Sequence, residues 1–263
     1  MLKKKKHVVA AAIYDGLLGF EYAIAAELMG LVRPGLEEIW YDFKPCRVER
    51  GELKSSHGFT LNPACSRSAL VDADTVLIAG WRDPQQIPKP AFLNAVIDAY
   101  ESGARLVSIC TGAFVLAHAG LLDGRRATTH WLHVDLFKRQ FPSVDLIEDS
   151  LYVHDDRIST SAGSAAGLDL CLSIIRADFG VEVANLVSRR MVAPIHREGG
   201  QSQYVQPVVM KSDAGDFGPV LDWMNSNLQE PISVEQIARK FSMSLRTFQR
   251  RFRNLTGLPP LVW

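Results

Sequence analysis

Apolar positions along this chain follow two rhythms. Short continuous apolar runs, Val8-Val9-Ala10-Ala11-Ala12-Ile13-Tyr14, Thr75-Val76-Leu77-Ile78-Ala79 and Leu106-Val107-Ser108-Ile109, read as strands buried on both faces. Between them apolar residues recur at helical spacing: Phe20, Ile24, Leu28 and Leu31, then Phe92, Val96, Ile97 and Tyr100. Ile39 to Phe43 and Arg47-Val48 are weaker strands, and Gly103 is a natural helix stop. Ala127 to Trp131 comes next, with a helix up to Phe141-Pro142. Leu151 to Val153 and Arg157 to Thr160 then form a hairpin around His154-Asp155-Asp156. Helices follow over Ala165–Phe179 and from Val183 to Met191. Strands alternating with helices predict an α/β fold, a parallel sheet sandwiched by helices.

Past residue 195 the rhythm stops. His196 to Gly215 has no sustained periodicity and reads as a linker or extended arm. Helical spacing then returns over Phe217 to Leu228, Ser233 to Phe241 and Ser244 to Leu255. Ser233 with Gln236 three residues on has capping-box spacing, and Ser242-Met243-Ser244 is the short turn of a helix-turn-helix. The predicted organisation is therefore a domain over 1–195, a linker over 196–215 and a small all-α domain over 216–263.

Composition narrows this picture. With 47% hydrophobic and 22% charged residues, and Lys+Arg equal to Asp+Glu at 29 each, any contact with nucleic acid must come from a local patch. Cys46, Cys65, Cys110 and Cys171 have no close-pair spacing, so neither a zinc site nor a disulfide framework is expected, and no cofactor or metal is called for. The lysines at 3–6 read as a solvated tail. The apolar run after them is too short for a secretory signal, and a cytoplasmic chain with no membrane segment is expected.

The stretch richest in chemistry is Ile109-Cys110-Thr111-Gly112. A cysteine on a tight strand-to-helix turn sits where open α/β sheets hold ligands, and the helix N-terminus there favours a thiolate. The alternative is a small buried hydrophobe. Glu21, in the first turn of its helix, either complements the helix dipole or belongs to the same site. Gly80-Trp81 closes a central strand, where a glycine lets backbone N–H groups approach a ligand. Cys171 reads as core.

These residues carry two resemblances. Asp15-Gly16 with Glu21, Gly80-Trp81, Ile109 to Gly112, Ala119 to Trp131, and Thr160 to Gly163 with Gly167 to Leu170 together resemble the ThiJ/PfpI superfamily, which is related to class I glutamine amidotransferase domains. Ile237-Ala238, Met243-Ser244, Arg246 to Phe248, Arg250 to Phe252 and Thr256-Gly257 resemble the first half of an AraC-type DNA-binding domain. Arg197-Glu198-Gly199-Gly200-Gln201-Ser202-Gln203 is similar to the linker joining such domains in the GlxA/FtrA-like branch of AraC-type regulators.

The first resemblance implies a flavodoxin-like sheet and a site in which Cys110 is the nucleophile or oxidisable thiol. It also implies that Glu21 hydrogen-bonds the sulfur and that His130 approaches it as base or orienting donor. Gly80, Trp81, Thr111 and Ser161 fall at the ligand-holding positions, where the N–H groups at Gly80-Trp81 and Thr111 would hold an oxyanion. Where many enzymes of the superfamily have a second glycine, Trp81 puts a ring expected to narrow the pocket.

The second resemblance implies that Arg246, Gln249 and Arg250 face base edges at the start of the second helix, with Thr247 beside them. Arg253, like Arg251, would meet phosphates. The stretch from Arg246 to Arg253 holds four arginines and no acid. An AraC-type domain has two helix-turn-helix units, of which this sequence carries the first, so a regulator fragment or truncated product is expected. The reading is a transcription regulator, dimeric through its first domain, that binds double-stranded DNA and senses a small effector. The alternative is a cysteine-dependent enzyme of the isonitrile hydratase, amidase or deglycase kind.

Overall fold

The computed structural model describes residues 6–194, 197, 199–201, 217–227, 232–256 and 259–261. The first lysines, Leu228, Pro231, Gly257, Trp263 and most of the 196–215 segment lie outside the described residues. Two compact units are present, Met1–Ser202 and Gln203–Trp263.

In chain order the first unit contains β1 (Val8–Ile13), α1 (Gly19–Ala25), β2 (Asp42–Arg47), β3 (Leu53–Lys54), β4 (Thr60–Leu61), β5 (Cys65–Ser66) and β6 (Thr75–Ile78). It continues with α2 (Pro90–Glu101), β7 (Arg105–Ile109), α3 (Gly112–His118), β8 (Arg126–Ala127), α4 (Val134–Gln140) and β9 (Asp145–Leu146). The last elements are β10 (Tyr152–Asp155), β11 (Ile158–Ser161), α5 (Ala166–Phe179) and α6 (Val181–Arg190). Seven strands form one sheet in the order β10-β11-β7-β6-β1-β2-β5, parallel except for the β10–β11 hairpin. The chain reverses direction across the sheet between β1 and β6, so the carboxyl ends of β1, β6, β7 and β11 lie side by side.

All six residues of β1 are buried. Val8, Ala10 and Ala12 pack into one apolar layer with α2 and α3, whereas Val9 and Ala11 pack into another with α5 and α6. A strand covered on both faces has no polar side to show, hence the unbroken apolar run. Two predicted elements differ. The helix starting near Phe20 widens after Ala25 into a π-helical turn, Ala26–Gly30, and the two weak strands around residues 39–48 are one strand, Asp42–Arg47.

The second unit contains α7 (Gly218–Ser226), α8 (Val234–Lys240) and α9 (Leu245–Thr256). The Ser233 side chain accepts from the Gln236 N–H while the Gln236 side chain accepts from the Ser233 N–H, the reciprocal cap that the sequence predicts. Ser242, at φ 54°, makes the left-handed turn between α8 and α9, and Ser244 caps α9 by accepting from the Thr247 N–H. Phe248 and Phe252 are fully buried against Phe217, Val220, Ile237 and Ala238.

Gly112 gives a direct test of the packing. A Cβ there would lie 2.5 Å from the Ile78 carbonyl oxygen and 2.6 Å from that of Ala79, both fixed backbone at the end of β6. Gly112→Ala is expected to destabilise the first unit by about 3 kcal/mol or more, at the upper end of overpacking costs, measured by denaturant unfolding.

Candidate functional site

Cys110 is the hinge between β7 and α3. Its φ of 59° places it in the left-handed region, which a non-glycine residue occupies at a cost of about 1–3 kcal/mol and only when its surroundings hold it there. Those surroundings are specific. The Cys110 N–H donates to the Ser161 carbonyl at 2.9 Å, and the Thr129 hydroxyl donates to the Cys110 carbonyl at 3.1 Å. Gly163, at φ 84°, lies so close that a Cβ on it would sit 2.7 Å from the sulfur and 2.2 Å from the Cys110 Cβ. The turn is a junction of three backbones, from β7, β11 and the segment after β8.

The thiol is buried, 6% exposed. Burial first, and the Glu21 carboxylate second, push it up to about 12, while the Thr111 N–H and hydroxyl pull the other way. The helix N-terminus therefore does not prevail: at neutral pH this is a thiol, contrary to the thiolate expected from its position. The cause is desolvation, which a short helix (Gly112–His118) does not offset.

The other predicted residues divide. Glu21 is buried in the first turn of α1 and acts on the sulfur. Thr111 interacts with the sulfur and anchors its hydroxyl on the Trp81 carbonyl at 2.7 Å. Ser161 holds Cys110 through its carbonyl, and its hydroxyl accepts from Gly163 N–H. The space over Gly80 is filled by Leu18, whose Cδ1 would be 2.3 Å from an added Cβ. The Trp81 ring does not narrow a pocket. It lies in the core edge-on to Tyr14 and near Phe92, its indole N–H donates to the Gln86 carbonyl, and Arg82 stacks over it at 4.4 Å. Arg82 in turn pairs with the buried Glu49, which accepts from the Asp15 N–H, so the loops after β1 and β6 are tied together.

His130 follows β8, but its Nδ1 accepts from the Leu132 N–H and its ring neighbours are Trp131 and His133. Burial and the neighbouring His133 lower its pKa, so it is a neutral imidazole, and no described contact joins it to the sulfur.

The sequence reading missed Thr129 and Gln201 as parts of this neighbourhood. Thr129 was visible inside Thr128-Thr129-His130-Trp131 but has no chemical signature of its own. Gln201 was hidden by its polar, glycine-rich surroundings, the composition of a solvated linker. A cleft of about 490 Å³ opens elsewhere, lined by Lys6, His7, Glu38, Ile39, Asp74, Asp178 and Phe179 near the amino ends of the strands. Two of its carboxylates are engaged: Asp178 with Arg105 and Tyr41, Asp74 with the Val8 N–H.

On the second unit, Arg246, Gln249, Arg250 and Arg253 are exposed along α9, and Arg251 and Thr247 are half-buried. The Thr247 hydroxyl pairs with Ser244 at the cap, 2.8 Å away.

Alkylation of Cys110 by iodoacetamide, followed by peptide mass spectrometry, tests the thiol state. Its rate is expected to rise about tenfold per pH unit between about pH 7 and 10 with no plateau, because only the thiolate reacts. Glu21→Gln removes the nearby charge and is expected to speed the reaction several-fold at fixed pH. Since the folded thiol lies above its ordinary value of 9.0, its contribution to stability is intact below that pH and fades as pH rises toward 12.

Comparison with known proteins identifies the family and the fold. The DJ-1/PfpI family model matches residues 22–177, and the model of bacterial regulatory helix-turn-helix proteins of the AraC family matches residues 224–260. The HTH-type transcriptional regulator CdhR of Pseudomonas aeruginosa is 28% identical over 214 residues, covering 81% of this chain and 63% of CdhR. An isonitrile hydratase of Pseudomonas putida is 31% identical over 155 residues, 58% of this chain and 63% of the enzyme. The chain thus spans less than two thirds of either relative's length. The crystal structure of an AraC family transcriptional regulator from Pseudomonas putida superposes with a TM-score of 0.61 at 19% identity, covering 70% of this chain and 99% of that one. The chain belongs to the DJ-1/PfpI family, and a helix-turn-helix segment of AraC type follows its DJ-1/PfpI domain.

Proposed function

We propose that this chain is a DNA-binding transcription regulator whose first unit senses a small metabolite at the Cys110 turn and whose α9 reads DNA. The observation that carries the reading is the co-occurrence, in one chain, of a buried cysteine turn of DJ-1/PfpI type with an exposed Arg246-Gln249-Arg250 face at the start of a capped second helix. Arginine suits guanine and glutamine suits adenine, each by two parallel hydrogen bonds, and N-terminal residues of a recognition helix reach base edges. Overall charge balance means that DNA affinity rests on this local patch. A single helix-turn-helix makes few phosphate contacts, and dimerisation through the first unit would double them. The effector would be small and partly apolar, held near Glu21, Cys110, Thr111 and Ser161. We place the linker at 196–215, with Arg197 and Gln201 docked on the first unit.

A cysteine-dependent enzyme is the second reading, favoured by similarity to an isonitrile hydratase. Burial that raises the Cys110 thiol, and the engagement of His130 Nδ1 with its own loop, weigh against it.

Fluorescence anisotropy with a labelled duplex from upstream of the protein's own gene tests the proposal. The chain is expected to bind in a salt-sensitive manner and to resist competition by random DNA. Arg246→Ala/Gln249→Ala/Arg250→Ala should weaken binding more than about tenfold, since each base contact contributes about 1–3 kcal/mol. Equal binding by the variant would overturn the assignment of α9 as the reading helix.

A further inference from the structure

Gln201 lies in a stretch whose composition is that of a solvated linker, yet it is 2% exposed. Its Oε1 accepts from the Trp131 N–H at 2.8 Å. Its Nε2 lies within donating distance of the Thr129 carbonyl (2.9 Å), the Thr128 hydroxyl (3.2 Å) and the Glu148 and Ser150 carbonyls (3.1 Å each). The side-chain amide thus substitutes for a backbone peptide and grips the main chain on both sides of His130. Buried amides are held in place when every donor and acceptor is satisfied, as here. Gly200 makes the approach possible, since a Cβ on it would meet Asp149 Oδ1 at 1.9 Å and the Asp149 carbonyl at 2.9 Å.

A second grip lies four residues earlier. The Arg197 Nε lies 3.0 and 3.1 Å from the two oxygens of Asp169, a buried carboxylate in the first turn of α5. One grip reaches the Cys110 turn through Thr129, and the other holds the helix that follows Gly163. Thr129, held by Gln201 through its carbonyl, donates its hydroxyl to the Cys110 carbonyl. Asp169, held by Arg197, is in the helix that follows Gly163, the residue pressed against the Cys110 side chain. The segment leading out of the first unit is therefore bonded to the turn that holds the thiol through Thr129, and to the helix that follows Gly163 through Asp169.

We propose that Arg197 and Gln201 form a latch: their docking and the closed geometry of the Cys110 turn form one equilibrium, so that occupancy of the turn shifts release of the chain leading to the second unit. The proposal deepens the regulator reading and supplies the step between sensing and DNA binding on which that reading depends. A ligand that moves Thr129 or Gly163 loosens the latch, and by reciprocity a loosened latch opens the turn.

Two readouts on the full chain test it: tryptic cleavage after Arg197 and the rate of Cys110 alkylation by iodoacetamide. Gln201→Ala, and Asp169→Asn independently, should each raise both rates at least about threefold, as local opening without global unfolding would. Gln201→Glu keeps the acceptor and size but loses the donor hydrogens, and serves where Gln201→Ala does not fold. In the reverse direction, protein already carbamidomethylated at Cys110 should be cleaved faster after Arg197 and exchange the Trp131 amide hydrogen faster. Faster cleavage in the variants with Cys110 reactivity unchanged, or carbamidomethylation without effect on cleavage, would overturn the latch and leave a static anchor. Neither readout involves DNA. Reciprocal coupling in a chain that binds no DNA would support the latch and remove the regulator reading, whereas DNA binding without coupling removes the latch alone.

Discussion

The first unit depends on a crowded meeting of backbones at Cys110. The residue is held in a left-handed conformation by the Ser161 carbonyl, the Thr129 hydroxyl and the absence of side chains at Gly112 and Gly163. Thr129 and the Ser161–Gly163 stretch are distant from Cys110 in the chain, so the strained turn exists only once the sheet has assembled. The carboxyl ends of β7 and β11, in register with Ile109 opposite Ser161, set the distance that the turn must close. Strain stored in this way is maintained by surroundings that over-determine it.

The same crowding decides the chemistry. A cysteine at a helix N-terminus is an activated nucleophile when the dipole and nearby cations outweigh desolvation. Here desolvation and Glu21 win, and the thiol stays protonated. The groups that could have changed the balance are occupied. His130 is turned to its own loop, and Arg82 is spent on Glu49 and on stacking over Trp81.

In the second unit, charge and packing are separated cleanly along α9. Phe248 and Phe252 fix the helix against Phe217, Ile237 and Ala238, while Arg246, Gln249, Arg250 and Arg253 remain free to face solvent. The chain's even charge balance conceals this patch, because electrostatic recognition is local on the scale of the Debye length. The capping box at Ser233 and the serine cap at Ser244 satisfy the backbone N–H groups that a short helix would otherwise expose at its start.

How far the sequence speaks depends on whether the cause is local. Alternating buried runs and helical spacings determine the α/β order, because a strand covered on both faces must be apolar throughout and a surface helix only on one side. Ser233 with Gln236, and the phenylalanines of α9, are equally legible, since caps and helix faces involve residues within one or two turns. The cysteine turn was legible as a strand-to-helix turn because strand, cysteine and helix follow one another directly. What the tertiary structure alone decided came from residues far apart in the chain. It put the Trp81 ring in the core against Tyr14, kept the Cys110 thiol neutral through burial, pressed Gly163 onto its side chain and carried Gln201 into the loop around His130. Composition marks a glutamine among glycines and serines as solvent-facing. Only a fold that leaves one donor and several acceptors unpaired beside it gives such a residue a reason to be buried.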